Sequence, residues 1–189
     1  MRIILASASP RRKEICDLLG IKTTVIPASA ERPFDETLTV EENVLQTARA
    51  KAEEIAAVCG TAIPVLGADT TVAVSVDGRW RTLGKPENEE DARRMLRLLQ
   101  GREHRVLTGV WVCGAARSDG FVSAATVVFD PMTEAEIADY VATGEPMDKA
   151  GAYAIQGRCL RYIRKIDGDF YTVMGLPSAS LWQFLQIYV

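Results

Sequence analysis

The stretch IILASASPRRKEICDLLG, residues 3–20, decides the fold class. The apolar run at residues 3–6 is typical of a buried strand, and the polar turn Ser7-Ala8-Ser9-Pro10 follows it. Apolar side chains then recur at helical spacing, with Ile15, Leu18 and Leu19 on one face, and Gly20 can end the helix in the left-handed conformation. The first unit is therefore a strand, a polar turn and a helix.

Further helices and strands follow in alternation. Capping boxes at Thr39 and Thr133 start two helices, Asn88 starts another, and a last helix begins at Pro177. The pair Asp77-Gly78 predicts a tight hairpin. Extended runs predict strands at residues 23–26, 64–76, 105–113, 121–129, 160–166 and 170–174.

This order of elements predicts an α/β protein with a mixed, extended β-sheet flanked by helices. The runs at 105–113 and 121–129 are expected to be antiparallel neighbours. Because no repeat or linker interrupts the chain, we expect one domain over residues 1–189. Two lobes around a cleft are the alternative.

Composition excludes several function classes. With 22 Lys and Arg against 25 Asp and Glu, the net charge of −3 gives no broad positive field for nucleic acid or an anionic membrane, so a bound anion needs a local basic cluster. We find no signal-peptide pattern and no apolar run long enough to span a membrane, which predicts a cytoplasmic protein. The widely spaced Cys16, Cys59, Cys113 and Cys159 are interpreted as reduced core thiols, and His104 is the only histidine, which excludes most histidine-based hydrolase sites.

The first helix start is a candidate phosphate site. Its unpaired N–H groups and partial positive charge favour an anion. Ser7 and Ser9 add hydroxyl donors, and Arg11 and Arg12 add forked, charged donors. The alternative is a serine cap followed by a solvated basic turn. Because cations in the first turn oppose the helix dipole, they favour an anionic partner.

Asp69 is a candidate catalytic or metal-binding group. It follows the apolar run 64–68, where an uncompensated carboxylate would be costly, so we expect it to meet a cation, a metal ion or hydrogen-bond donors. Carboxylate oxygens suit Mg²⁺ or Mn²⁺. A structural pair with an arginine is the alternative. Glu31, Asp35 or Glu36 could supply a second ligand, or form a solvated acidic loop.

Three further side chains are candidates. Lys85, between Gly84 and Pro86, could meet a phosphate or be an ordinary surface lysine. Lys51 shares a helix face with alanines, so it either extends along the surface to water or reaches the site. Gln156 could read a nucleobase edge or satisfy turn backbone.

Taken together, these segments resemble the Maf family of nucleotide pyrophosphatases. Seven blocks recur in order and span nearly the whole chain: LASASPRR (5–12), AKA (50–52), GADT (67–70), GKP (84–86), HRVLTGV (104–110), AGAYAIQG (150–157) and GLP (175–177).

The resemblance implies a Maf/Ham1, ITPase-like α/β fold with a cleft between two lobes. It also implies a homodimer that cleaves nucleoside triphosphates to the monophosphate and pyrophosphate with a divalent cation, Mg²⁺ or Mn²⁺. In this family Asp69 would be the proton acceptor or a metal ligand, and Glu31 falls near a second acidic position. Phosphate would be held by Ser7, Arg12, Lys51 and Lys85.

Three positions match the branch of the family that cleaves dTTP and UTP: Arg11, Thr70 and Gln156. Two departures stand out. Ala154 replaces a commoner glycine, which could restrict the turn, and Arg32-Pro33 after Glu31 is atypical. The alternatives are a 7-methyl-GTP or broad modified-nucleotide pyrophosphatase and a non-catalytic nucleotide-binding regulator of septum formation. An aspartyl-phosphate mechanism is disfavoured because no second aspartate lies two residues after Asp69.

Overall fold

The computed structural model describes residues 1–188. Over this range the strands are β1 (Arg2–Leu5), β2 (Lys22–Val25), β3 (Val65–Val76), β4 (Arg79–Leu83), β5 (Glu103–Cys113), β6 (Ser118–Phe129) and β7 (Ile163–Asp167). The α-helices are α1 (Pro10–Leu18), α2 (Val40–Cys59), α3 (Glu89–Leu99), α4 (Glu134–Val141), α5 (Phe170–Met174) and α6 (Ser178–Leu185). Short 3₁₀ helices occupy Glu145–Asp148, Ala150–Ala152, Arg158–Tyr162 and Gln186–Tyr188.

The strands form a mixed sheet. Its hydrogen-bonded order is β2-β1-β3-β5-β6-β7, and β4 pairs with β3. Strand β1 runs parallel to β2 and β3, whereas β4 is antiparallel to β3 and β7 is antiparallel to β6. The predicted α/β class and the neighbouring placement of β5 and β6 are therefore confirmed.

The β3–β4 hairpin forms where the sequence predicts it. Asp77 and Gly78 both have positive φ, at 52° and 73°, which is the backbone that a two-residue primed turn needs. The capping boxes at Thr39 with Glu42 and at Thr133 with Glu136 are also present, and they start α2 and α4.

The chain divides into two compact units, neither of them contiguous. The first contains Met1–Thr70, Thr108–Ser123 and the stretch that begins at Tyr171, and the second contains Thr71–Leu107 and Ala124–Phe170. In the first unit, buried side chains of β1, α2 and β3 pack together, among them Ile4, Ile55 and Val65. In the second, α3 contacts α4.

Two predicted strands are corrected. Residues 170–174 form helix α5, and Gly175 N–H closes it by donating to the carbonyls of Tyr171 and Thr172. A five-residue apolar run has too few residues for its periodicity to separate strand from helix. In the run 160–166, the strand begins only at Ile163, after a 3₁₀ helix.

The thiol prediction is confirmed for three cysteines and wrong for one. Cys16, Cys113 and Cys159 are buried, and burial raises the pKa of each. Cys59 is exposed because it is the last residue of α2, beyond the part of the helix that packs on the sheet. None of the helices formed by residues 1–188 has the length and apolarity needed to cross a membrane.

Candidate functional site

A lysine and two carboxylates form the centre of the site in the first unit. Lys51 Nζ lies 2.8 Å from Asp69 Oδ1 and 3.1 Å from Glu31 Oε1. Lys51 is only 8% exposed as a residue, so its ammonium is held against these carboxylates and not in bulk water. Lys51 therefore points at these carboxylates and not along the surface to water, and the cation that meets Asp69 is this lysine, not an arginine.

Close packing of α2 on β3 brings Lys51 to Asp69. A Cβ atom on Gly67 would lie 2.3 Å from Ala48 O and 2.6 Å from Ala52 N, so a side chain at this position would collide with the helix backbone. Strand β3 is buried through Ala68 and only partly buried at Asp69. The glycine therefore allows the helix to approach, and Lys51, one residue before Ala52, meets the carboxylate two residues after Gly67.

Glu31 reaches the same ammonium from a loop that α2 holds in place. The Glu54 carboxylate accepts hydrogen bonds from Ser29 N–H, Ser29 Oγ–H and Ala30 N–H. These bonds lower the pKa of Glu54 and fix the residues just before Glu31. Of the other acidic candidates in this loop, Asp35 instead accepts from Thr37 N–H and Thr37 Oγ–H, which lowers the pKa of Asp35.

The start of α1 holds hydroxyl and guanidinium donors in the same unit. Ser9 occupies the N-cap position, yet its side chain makes no capping bond. Its N–H instead donates to Ser7 Oγ at 3.2 Å, and Arg12 Nη1 donates to the same oxygen at 3.0 Å. Because that oxygen accepts two bonds, the hydroxyl proton of buried Ser7 is left as a donor.

Arg12 connects this turn to the strand that carries Asp69. Its Nη2 donates to Thr70 Oγ1 at 3.1 Å, and its Nε donates to Gly175 O at 2.9 Å. Burial lowers the pKa of Arg12, and the negative charge of Asp69 acts in the opposite direction. An arginine stays charged under either influence. Arg11, in the first turn of α1, is partly buried.

Lys85 and Gln156 lie in the second unit, and both are exposed. The segments that carry these two residues are joined by a backbone hydrogen bond, which Gly151 N–H donates to Gly84 O at 3.0 Å. Residues 154–157 form a turn closed by the bond from Gly157 N–H to Ala154 O, with Gln156 at its third position. Ala154 has a negative φ, so its backbone does not need a glycine. The positive φ values in this segment fall at Gly151 and Ala152.

Two side chains that the sequence did not single out hold the ends of this turn. Tyr140 Oη accepts from Ala154 N–H at 3.1 Å and donates to Glu145 Oε1 at 2.7 Å. Glu145 Oε2 accepts from Arg158 N–H at 3.0 Å. A Cβ atom on Gly157 would lie 2.0 Å from Glu145 Oε1, so the carboxylate occupies the place of a side chain there.

The single histidine is structural. His104 is buried, with Nε2 at 2.9 Å from Tyr153 Oη and its ring edge-on to Phe129. Burial lowers the pKa of His104 to about 3, so the imidazole is neutral at physiological pH. This placement agrees with the exclusion of histidine-based hydrolase chemistry.

The donors available for a metal ion are carboxylate oxygens. Among residues 1–188, no three or more His, Cys, Asp or Glu side chains form a group that could hold a metal by themselves. The carboxylates of Asp69 and Glu31 both contact the ammonium of Lys51. Two carboxylates fit a cation such as Mg²⁺, which in proteins takes few side-chain ligands and completes its shell with water and substrate phosphate.

Comparison with known proteins identifies the family of this chain. A family model described as "Maf-like protein" matches residues 2–188 of this chain. The chain belongs to the Maf-like protein family. A relative of this Maf-like chain in Bacillus velezensis, named dTTP/UTP pyrophosphatase, is 45% identical over 98% of this chain and 95% of its own length. Another of that name, in Lachnoclostridium phytofermentans, is 44% identical over 96% of this chain and 92% of its own length.

Similarity to solved structures is weaker. The Ham1 protein of Staphylococcus aureus aligns with the Maf-like chain at a TM-score of 0.45 and 17% identity, over 68% of this chain and 72% of that chain. A likeness at that level supports no conclusion about fold or activity.

Proposed function

We propose that this Maf-like chain hydrolyses nucleoside triphosphates, dTTP and UTP first among them, to the nucleoside monophosphate and pyrophosphate. In this reaction the oxygen of a water molecule forms a bond to the α-phosphorus, the bond from that phosphorus to the bridging oxygen breaks, and pyrophosphate leaves. The full-length relatives named dTTP/UTP pyrophosphatase support this substrate class.

One contact carries the assignment: Arg12 Nη2 donates to the hydroxyl of Thr70, the residue next to Asp69. It joins the helix start to which we assign phosphate binding with the carboxylate and lysine cluster, within a single unit. Arg12 and Lys51 then neutralise the triphosphate, Ser7 helps to orient it by donating a hydrogen bond, and Ser9 and Arg11 extend the same donor surface. Fixed donors of this kind act where charge develops during phosphoryl transfer.

Asp69 is proposed as the proton acceptor or as a metal ligand. As the acceptor, its carboxylate would take the proton that the attacking water loses. As a ligand, with Glu31, it would hold Mg²⁺ or Mn²⁺; such an ion polarises phosphoryl oxygens and neutralises their charge. Lys51 keeps Asp69 in place in either role.

The remaining assignments follow the pyrimidine branch of the family. We propose that Arg11, Thr70 and Gln156 select the base and that Lys85 binds phosphate. We also propose that residues 1–189 act as one functional domain, as a homodimer, in the cytoplasm.

A product assay tests the proposal. Purified protein is given dTTP, UTP, CTP and 7-methyl-GTP in turn, with Mg²⁺, with Mn²⁺ and with a chelator, and pyrophosphate and monophosphate are quantified. We expect dTTP and UTP to be cleaved fastest and the chelator to abolish product. A clear preference for 7-methyl-GTP would overturn the base assignment, and nucleotide binding without metal-dependent product would overturn the enzyme assignment.

The Asp69→Asn variant tests the role of the carboxylate, because it keeps the shape of the side chain and removes its charge. We expect it to fold with an unchanged circular-dichroism spectrum and to lose turnover by roughly 10²- to 10⁴-fold. Near-normal turnover in this variant would contradict the role of Asp69.

A further inference from the structure

A line of hydroxyl groups leads from Arg12 into the core of the first unit. Thr70 Oγ1, which accepts from Arg12, lies 2.9 Å from Thr108 Oγ1, and Thr108 Oγ1 donates to Thr172 O at 2.8 Å. Thr108 and Thr172 are both fully buried. A side branch leaves this line at Thr172, whose Oγ1 lies 2.7 Å from Ser123 Oγ.

The direction of each bond follows from counting protons. A threonine hydroxyl has one proton to donate, and Thr108 gives its proton to the carbonyl of Thr172. Toward Thr70 it can therefore only accept, so Thr70 donates its own proton to Thr108. The lone pairs of Thr70 Oγ1 are then directed to Arg12, which has donors and no acceptor.

We infer that Thr108 is a positioning residue for Arg12, acting through Thr70. By taking the proton of Thr70, Thr108 fixes the hydroxyl in the rotation in which its oxygen faces the guanidinium. Together with Ser7 Oγ and Gly175 O, this oxygen engages three of the five N–H groups of Arg12. The remaining two N–H groups are thereby held in fixed directions, and they are the ones that we assign to phosphate. The inference rests on the proposed function, because Arg12 is there assigned to phosphate.

The same count gives Thr70 a second role. Its only proton is committed to Thr108, so its hydroxyl has no donor for a nucleobase while Arg12 is held in this way. Thr70 therefore contributes to substrate choice by fixing Arg12 and not by donating to the base.

The test uses three variants that differ in one group each. Thr108→Val removes the hydroxyl and keeps the shape, Thr108→Ser keeps the hydroxyl, and Ser123→Ala removes the side branch without touching the line to Arg12. We expect Thr108→Val to lower kcat/KM for dTTP by about tenfold, since a tenfold change corresponds to the loss of one modest interaction. Thr108→Ser and Ser123→Ala should remain within twofold of the wild type.

A second readout does not depend on turnover. In ¹⁵N-labelled protein, the Nε–H signal of Arg12 reports how firmly the guanidinium is held, through its rate of exchange with water. We expect this exchange to accelerate in Thr108→Val and to stay unchanged in Ser123→Ala. This measurement decides the inference even if no triphosphate is hydrolysed, so its failure is distinguishable from failure of the proposed function.

Coupling between the two threonines completes the test. Thr70→Val removes the oxygen that Arg12 contacts while leaving the Thr108–Thr172 bond intact, and Thr108→Ala replaces Thr108→Val if the valine variant does not fold. If the two threonines act in series, the kcat/KM of the double variant Thr70→Val/Thr108→Val should be no lower than that of the less active single variant. Wild-type exchange of Arg12 in the Thr108 variant, or equal losses in Ser123→Ala and Thr108→Val, would overturn the inference.

Discussion

Lys51 Nζ lies 2.8 Å from Asp69 Oδ1, and the side chain of that lysine is one of the few charged groups in the first unit that is almost fully buried. Because α2 positions it from within the core, its ammonium is fixed before a substrate arrives. A preorganised charge of this kind costs little reorganisation during reaction.

The first prediction concerns this lysine. We expect Lys51→Met, which keeps the length of the side chain and removes its charge, to lower kcat/KM for dTTP by at least about 10²-fold, since both phosphate neutralisation and the placement of Asp69 are lost. The matched control is Arg49→Met on the same helix, which removes an exposed ion pair with Glu53 and a cation–π contact with Trp111. Steady-state kinetics should show near-wild-type activity for the control; equal losses in both would contradict the assignment.

The second prediction concerns the approach of α2 to β3. Gly67→Ala places a Cβ atom 2.3 Å from Ala48 O and 2.6 Å from Ala52 N, too close for van der Waals contact, so the helix must move away. We expect a loss of about 1–3 kcal/mol in the free energy of unfolding and a loss of activity, because Lys51 moves with the helix. Denaturant unfolding measures the first effect. Gly84→Ala, which meets no atom within 4 Å, should leave stability nearly unchanged.

The third prediction concerns the turn that carries Gln156. Gly157→Ala should be destabilising in the wild type, because its methyl group would overlap the Glu145 carboxylate. In a Glu145→Ala background the obstacle is absent, so the same substitution should cost much less. A double-mutant cycle of unfolding free energies measures this coupling. Equal costs in the two backgrounds would show that the carboxylate does not occupy the space beside Gly157.

The fourth prediction is a pH dependence. The pKa of His104 is about 3 in the folded chain, below the ordinary histidine pKa of about 6.5. Between these values the unfolded chain binds a proton that the folded chain does not. Stability from this group is therefore fully present above pH 6.5 and is lost as the pH falls, by up to about 1.4 kcal/mol per pH unit.

Unfolding titrations between pH 7 and pH 5 check this prediction, because carboxyl groups contribute little in that range. The His104→Phe variant should show a shallower decrease in the free energy of unfolding, since no other histidine is present in the chain. Parallel curves for the two proteins would contradict a neutral buried imidazole.

Much of the fold is readable from local signals. Capping boxes, the Asp77-Gly78 turn and the long apolar runs depend on neighbours in sequence, and the structure has them at the expected places. The run 170–174 fails because its conformation is decided by distant groups: the Thr172 carbonyl accepts from Thr108, and its hydroxyl lies against Ser123. Tertiary bonds of this kind leave no periodic signal.

In the candidate site, too, some residues could be predicted from the sequence and others only from the folded chain. Lys51 was recognisable because a cation among alanines is unusual, and Asp69 because it ends an apolar run. Tyr140, Glu145 and Thr108 gave no such sign, since a buried tyrosine, a glutamate before a proline and a strand threonine are all common. Tyr140 bonds to a residue 14 positions away, and Thr108 bonds to one 64 positions away. Such contacts are visible only in the folded chain.

The discontinuity of the two compact units has a consequence for how the gene can be handled. The chain passes from one unit to the other after Thr70, Leu107, Ser123 and Phe170, so no uninterrupted stretch of the coding sequence encodes either unit whole. Any truncation at these points would remove strands or helices that complete the unit left behind. Expression of half-length fragments should therefore yield insoluble or protease-sensitive products, and exchange of parts between homologous genes should preserve function only when all five segments come from compatible parents.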